Sequence, residues 1–174
     1  MASTYTLISS QVLASSATSV TFSSIPGTYT DLVLRTSIRS NNSGTTDNIS
    51  ITLNGSGGTD YGLTLLKGNG SAGSSAGFTS YNYFSASQSV DGNNTTATNM
   101  FASTEIYIPS YASSLSKMIS ISSATEDNSS SAGFAYITAD AGSWAGTSAI
   151  TSIALAPLNG TNFLTKSSFY LYGI

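Results

Sequence analysis

Few side chains in this sequence can do acid–base or metal chemistry, because its 174 residues include no histidine and no cysteine. A Ser-His-Asp triad, a Cys-His pair and a histidine or thiolate metal site are therefore excluded. A glycoside hydrolase would need two carboxylates facing each other across a cleft, and no spacing here marks such a pair. Most of the acids fall in predicted turns, so we predict that the chain is not an enzyme. The acids are Asp31, Asp47, Asp60, Asp91, Glu105, Glu126, Asp127 and Asp140.

Three short segments are candidates for binding an ion. Segments 91–94 (DGNN) and 126–128 (EDN) offer hard oxygen ligands, but neither matches a defined calcium loop. Asp and Asn also favour turns, because their side chains hydrogen-bond to nearby backbone. Segment 68–70 (GNG) is followed by no suitably placed basic residue and no helix, so it is not a phosphate loop. We predict no metal and no cofactor.

An aromatic set offers a different chemistry, that of stacking. Phe78, Tyr81, Tyr83 and Phe84 lie close together in the chain, and the only tryptophan, Trp144, lies in a segment rich in Gly, Ala and Ser. These rings could form a platform that stacks on a sugar, or a contact between subunits, because Tyr and Trp combine apolar area with a polar tip. The alternative is a core strand with one solvated edge, with Trp144 plugging one end of the fold.

The element best placed to organise the chain is segment 25–39, IPGTYTDLVLRTSIR. It begins with a Pro-Gly turn and contains the longest clean alternation, which is typical of a half-buried strand. The alternation predicts that Leu32, Leu34 and Ile38 point into the core. It places Arg35 and Arg39 on the opposite face, either as solvated charges or as interface anchors, since arginine is enriched at interfaces.

Shorter alternating segments occur along the whole chain, separated by Gly, Asn and Ser. They predict about nine to eleven antiparallel strands in a single all-β domain spanning residues 1–174, as a β-sandwich or barrel. No segment has apolar residues at helical spacing. Segments 71–77 and 140–146 are small and polar and are predicted to be loops, and 126–131 is predicted to be a turn.

The charge content of the chain excludes some partners. Only 7% of residues are charged, the formal net charge is −3 and the isoelectric point is near 4.4. Phosphate binding needs clustered Lys and Arg, so we predict no nucleic-acid partner. No apolar run is long enough for a transmembrane helix, and the N-terminus lacks the pattern of a signal peptide. Low charge removes the electrostatic repulsion that keeps protein molecules apart, which favours incorporation into a larger assembly.

Four segments resemble a family of small virion proteins of tailed bacteriophages, common in phages of cyanobacteria and other aquatic bacteria. They are 20–40 (VTFSSIPGTYTDLVLRTSIRS), 105–111 (EIYIPSY), 149–155 (AITSIAL) and 162–174 (NFLTKSSFYLYGI). The resemblance implies one jelly-roll-like β-sandwich in the head or tail of the particle, with no catalytic residues. The resemblance also implies a tryptophan-containing loop before segment 149–155 with an arginine beside the tryptophan. Here the loop contains Trp144 but not the arginine.

Residues and resemblance together predict a virion structural protein made in the host cytoplasm. Because the sequence starts at Met with no shaft before the domain, we expect a capsid decoration or cement protein. Its partners would be other virion proteins, above all the major capsid protein, and the chain itself would form a homotrimer. The alternative is a tail fibre or head fibre module that binds a host surface glycan through its aromatic residues. An enzyme that degrades glycans is disfavoured by the missing carboxylate pair.

Overall fold

The computed structural model describes residues 4–92, 99–126 and 135–174, and in these ranges the chain is all β, with twelve strands. The strands are β1 (Thr6–Val12), β2 (Val20–Phe22), β3 (Leu32–Ile38), β4 (Thr46–Leu53), β5 (Tyr61–Gly68), β6 (Gly73–Tyr81), β7 (Phe84–Asp91), β8 (Ala102–Ile108), β9 (Lys117–Glu126), β10 (Ala135–Trp144), β11 (Ile153–Pro157) and β12 (Ser168–Gly173). The predicted antiparallel β-sandwich is confirmed, with one strand more than the upper end of the predicted range.

The strands form two sheets, one with eight strands and one with four. Their orders are β1-β12-β3-β8-β9-β10-β5-β6 and β2-β11-β4-β7, and every pairing is antiparallel. Without the hairpins β5–β6 and β9–β10, two four-stranded sheets remain, β1-β12-β3-β8 and β2-β11-β4-β7. This is the strand order of a jelly roll. The two hairpins extend the first sheet beyond β8.

The core lies between the inner faces of the two sheets, where alternate residues of each strand meet. In β3, Leu32, Leu34 and Ile38 are at most 1% exposed, which confirms their predicted burial. Ile51 of β4 and Phe169 of β12 join them in one hydrophobic cluster. Alternation places these side chains together because successive residues of a strand leave it on opposite sides.

The interior becomes polar where β8, β9 and β10 pack near β7. The hydroxyl of Thr104 donates to the backbone oxygen of Ser89 at 2.8 Å, and the hydroxyls of Ser123 and Thr138 bond to each other. Asp140 accepts a hydrogen bond from the backbone of residue 87. Such groups can be buried because most of them have hydrogen-bond partners.

Two segments predicted to be loops are strands. Residues 73–77 belong to β6, and β10 continues through residues 140–144. Their small, polar residues suggested loops, but in β10 small residues are needed because neighbouring side chains pack closely against the strand. A Cβ atom on Gly142 would lie 2.5 Å from Cε1 of Phe84 and 2.6 Å from Cγ2 of Ile119. Of the predicted turn at 126–131, Glu126 is the last residue of β9 and the rest lies outside the described residues, as do residues 93 and 94.

Candidate interaction surfaces

Tyrosines and one arginine cover the outer face of β12, β3 and β8 beside the start of β1. Outward positions of β3 lie between those of its neighbours, so Arg35 stands between Tyr170 and Glu105, and Val33 between Tyr172 and Tyr107. We call the surface formed by Tyr5, Arg35, Tyr107, Tyr170 and Tyr172 the tyrosine–arginine face.

Arg35 is held at the centre of the tyrosine–arginine face by two contacts. Its Nε donates to Oε2 of Glu105 at 2.8 Å, and its guanidinium carbon lies 5.1 Å from the centroid of the Tyr5 ring. The Tyr5 ring packs edge-to-face on Tyr172, with centroids 5.9 Å apart. The side chains of the ion pair are 55% and 43% exposed, and such exposed pairs add at most about 1 kcal/mol to stability. The contacts therefore orient the guanidinium more than they stabilise the fold.

Asp31, four residues before Arg35, forms its hydrogen bonds with other residues. Its Oδ2 accepts a hydrogen bond from the hydroxyl of Tyr107 at 2.7 Å, and its Oδ1 accepts one from the backbone of Ser110 at 2.8 Å. Because the hydroxyl donates to a carboxylate, the pKa of Tyr107 is raised above its ordinary value. This tyrosine stays neutral at physiological pH and is fixed in orientation.

Arg39 corrects the sequence interpretation, because it is buried and not on the outer face. It is 7% exposed, and its Nε donates to the backbone oxygen of Gly92 at 3.2 Å. The alternation fails here because β3 ends at Ile38, and Arg39 forms a parallel bridge with Asp91 instead. Burial raises the pKa of Asp91 to about 7, and the nearby charge of Arg39 opposes that rise. Arg39 is an internal structural residue, neither solvated nor available to another subunit.

A second surface is an aromatic pocket where β6 and β7 meet. Phe78 and Tyr81 pack edge-to-face with centroids 5.5 Å apart, and Tyr81 and Tyr83 do so at 6.1 Å. The pocket has a volume of about 210 Å³, and Ser85 and Leu158 complete its wall with residues of β5. Its described lining carries no charged side chain. Phe78 and Tyr81 are 37% and 38% exposed, so the rings are accessible from solvent.

A bulge in β6 brings these rings together. Residues three apart in a regular strand point to opposite faces. Here the register with β5 shifts, so that the two residues between Phe78 and Tyr81 lie opposite Gly62 alone. Ser80 takes a left-handed backbone conformation with φ of 61°. A β-bulge of this kind re-aims side chains, and it turns Phe78 and Tyr81 toward one another.

The other two predicted aromatic contacts, Phe84 and Trp144, lie in the core. Phe84 is fully buried, with its ring centroid 4.8 Å from that of Tyr61. Trp144 is 4% exposed, stacks on Tyr61 and donates from Nε1 to Oδ2 of Asp60 at 2.9 Å. Neither ring can contact a glycan or a subunit at the surface. Trp144 lies two residues after Gly142 and four after Asp140, and this strand spacing places all three on the inner side of β10.

Three acids that the sequence placed in turns are buried, namely Asp47, Asp91 and Asp140, at 4% exposure or less. Asp47 accepts five hydrogen bonds, three of them from backbone N–H groups. These bonds tie the start of β4 to the loop before β12 and use the carboxylate's lone pairs, so Asp47 has a structural role. Within residues 4–92, 99–126 and 135–174, no group of three or more acids could hold a metal ion.

Asp140 is less well satisfied than Asp47. Its Oδ2 accepts from the backbone of residue 87 at 3.2 Å, whereas its Oδ1 has no hydrogen-bond partner among the described residues. Burial raises the pKa of Asp140 to about 6, and the hydrogen bond from the backbone offsets part of the rise. No second carboxylate is bonded to it in the described structure, and nothing in this arrangement resembles the paired acids of a glycosidase.

The fold places the chain among double-sheet jelly-roll β-sandwiches. Comparisons with models of known protein families, with curated proteins and with solved structures find no match. In the part of the chain that the structure describes, no helix is long and apolar enough to cross a membrane.

Proposed function

We propose that the chain is a structural component of a tailed-phage virion, and within it a capsid decoration protein bound in many copies to the head. The observation that carries the proposal is that three of the four resembling segments contribute to one surface. Segments 20–40 and 162–174 contain the adjacent strands β3 and β12, and segment 105–111 contains the second half of β8, whereas segment 149–155 contributes to β11 of the other sheet. The first three segments contribute four of the five residues of the tyrosine–arginine face.

The composition of the tyrosine–arginine face supports its use as a docking surface. Tyr and Arg are enriched at protein interfaces and dominate their binding energy. Arg35 and Glu105 already neutralise each other, so docking buries no uncompensated charge. Each bound copy stabilises the shell that it bridges by mass action, and the effect adds up over the lattice.

The test uses phage heads that lack the protein. Purified protein is added to these heads, and its binding is measured by co-sedimentation. We expect Arg35→Ala to weaken binding at least about tenfold, or 1.4 kcal/mol, as for an interface anchor. Lys166→Ala is the matched control, because it also removes one positive charge from an exposed position. Equal binding of the two variants would contradict docking through this face, and no binding of the wild-type chain to heads would contradict decoration itself.

The aromatic pocket favours one second candidate, a host-attachment module that binds a surface glycan. Rings and hydroxyls around an uncharged pocket of about 210 Å³ suit the apolar face and polar edge of a sugar. We expect Tyr81→Ala and Tyr83→Ala to reduce phage adsorption and binding to purified host polysaccharide. Tyr170→Ala, on the other surface, is the matched control. Unchanged adsorption in both pocket variants would count against this function.

A further inference from the structure

The eight-stranded sheet ends in an open strand, β6. All nine of its residues are exposed, and among the described strands it pairs only with β5. The four-stranded sheet reaches only the C-terminal end of β6, at the aromatic pocket, and residues 73–77 lie clear of it. An edge of this kind presents a row of unpaired backbone N–H and C=O groups to another strand.

The hairpin turn defines which backbone groups point outward. The N–H of Asn69 donates to the oxygen of Ala72 at 3.1 Å, and Gly70 in the turn has φ of 84°. Hydrogen-bonded and non-hydrogen-bonded pairs alternate along an antiparallel ladder. Counting from the pair Asn69–Ala72, the residues whose backbone groups face the open edge are Gly73, Ser75 and Gly77.

β6 lacks the devices that usually protect an edge. Its sequence, GSSAGFTSY, contains no charged residue and no proline, two of the devices that commonly protect an edge. Its bulge lies near the C-terminal end, so residues 73–78 keep a regular register with β5. The opposite edge strand, β1, is better protected. It carries its bulge between Leu7 and Ser9, and its Gln11 side chain donates across to the oxygen of Thr21 at 3.0 Å.

We propose that β6 pairs antiparallel with β6 of a second copy of the chain, about a twofold axis that passes beside Ser75. Ser75 then faces Ser75 of the second copy, and Gly73 faces Gly77 in both directions. Each of these three pairs exchanges two hydrogen bonds, about six in all. Identical strands are self-complementary in this arrangement, and the absence of charge removes any like-charge repulsion. Glycine and serine at the outward positions leave room for the two backbones to approach.

The proposal joins two eight-stranded sheets into one continuous sheet and predicts a dimer, where the sequence led us to expect a trimer. It does not depend on the tyrosine–arginine face, which lies at the other end of the same sheet. A closed twofold contact also uses up the edge, so that strand addition stops at two copies.

The test is sedimentation-velocity ultracentrifugation of the full chain and three variants at one position. Ser75→Pro removes an outward N–H and leaves the ladder with β5 intact, since proline is tolerated where the N–H faces solvent. Ser75→Lys places two like charges opposite each other at the axis, and Ser75→Ala is the control that changes the side chain alone. We expect the wild type and Ser75→Ala to be dimers, and the other two variants to dissociate with a dissociation constant at least about tenfold higher.

Circular dichroism and thermal unfolding establish that each variant is folded. If Ser75→Pro fails to fold, Ser75→Lys on the exposed edge decides the question. A monomeric wild type, a trimer or larger ring, or a dimer that withstands the lysine substitution would overturn the proposal.

Discussion

Gly142→Ala is the substitution that most sharply tests the packing of the two sheets. A Cβ atom there would lie 2.5 Å from Cε1 of Phe84 and 2.6 Å from Cγ2 of Ile119, far inside van der Waals contact. Phe84 is 0% exposed and Ile119 is 3% exposed, so neither can move into solvent. Overpacking of this kind typically costs about 1–3 kcal/mol. For a domain of this size, that predicts a midpoint of thermal unfolding lower by about 2–12 °C.

Gly77→Ala is the matched control in a neighbouring part of the same sheet. The nearest atom to its Cβ position is Oγ1 of Thr64 at 3.9 Å, an ordinary contact, and the strand is exposed. We expect a change within about 0.5 kcal/mol, the usual range for surface substitutions. Urea unfolding followed by the fluorescence of Trp144, the only tryptophan, reports directly on this region. If both variants were equally stable, residue 142 would lie in an open loop and the packing described for β10 would be refuted.

Three further predictions concern other parts of the core. In urea unfolding, Leu34→Ala should lower the free energy of unfolding by about 2–5 kcal/mol. Arg35→Ala, at the next position and on the outer face, should lower it by at most about 1 kcal/mol. Equal losses would contradict the assignment of the two faces of β3. Folded Asp140 holds its proton more tightly than the unfolded chain, so its contribution to stability falls as the pH rises from about 4 to about 6. Asp140→Asn should therefore match the wild type near pH 4 and be more stable at pH 7 by on the order of 3 kcal/mol, at about 1.36 kcal/mol per pKa unit, and a pH-independent difference would contradict this. Trp144→Phe should lower the free energy of unfolding, followed by circular dichroism, by about 1–3 kcal/mol, because Asp60 loses the hydrogen bond from the indole N–H. An unchanged free energy of unfolding would argue against that bond.

Strands with large apolar residues were predictable from the sequence, and strands of small residues were not. In β3, large apolar residues recur at alternate positions, and its inward face was predicted from them. β6 and the second half of β10 consist mainly of Gly, Ala, Ser and Thr, the composition of a loop. Their partners make them strands, since Gly142 fits beneath Phe84 and residues 73–78 pair with β5. That information lies in distant parts of the chain.

The candidate surfaces were predictable only in part, for the same reason. Arg35 lies on the outer face of β3, where strand alternation placed it, whereas Tyr81 and Tyr83 line a pocket that was only one of the alternatives left open by the sequence. Arg39 was wrongly placed on the same face as Arg35, because the alternation ends one residue before it. The grouping of Tyr5 and Tyr107 with Arg35 depends on the neighbours of β3 in the sheet, which local periodicity does not reveal.

We propose that the chain is located in a phage particle. An averaged density map of the intact virion, with the twelve-stranded sandwich fitted into it, tests that claim most directly. We predict density for the domain at repeated positions over the head lattice, with the tyrosine–arginine face against the shell. Density confined to a few copies at the tips of fibres would contradict decoration, and no density for the domain anywhere in the particle would contradict a virion role altogether.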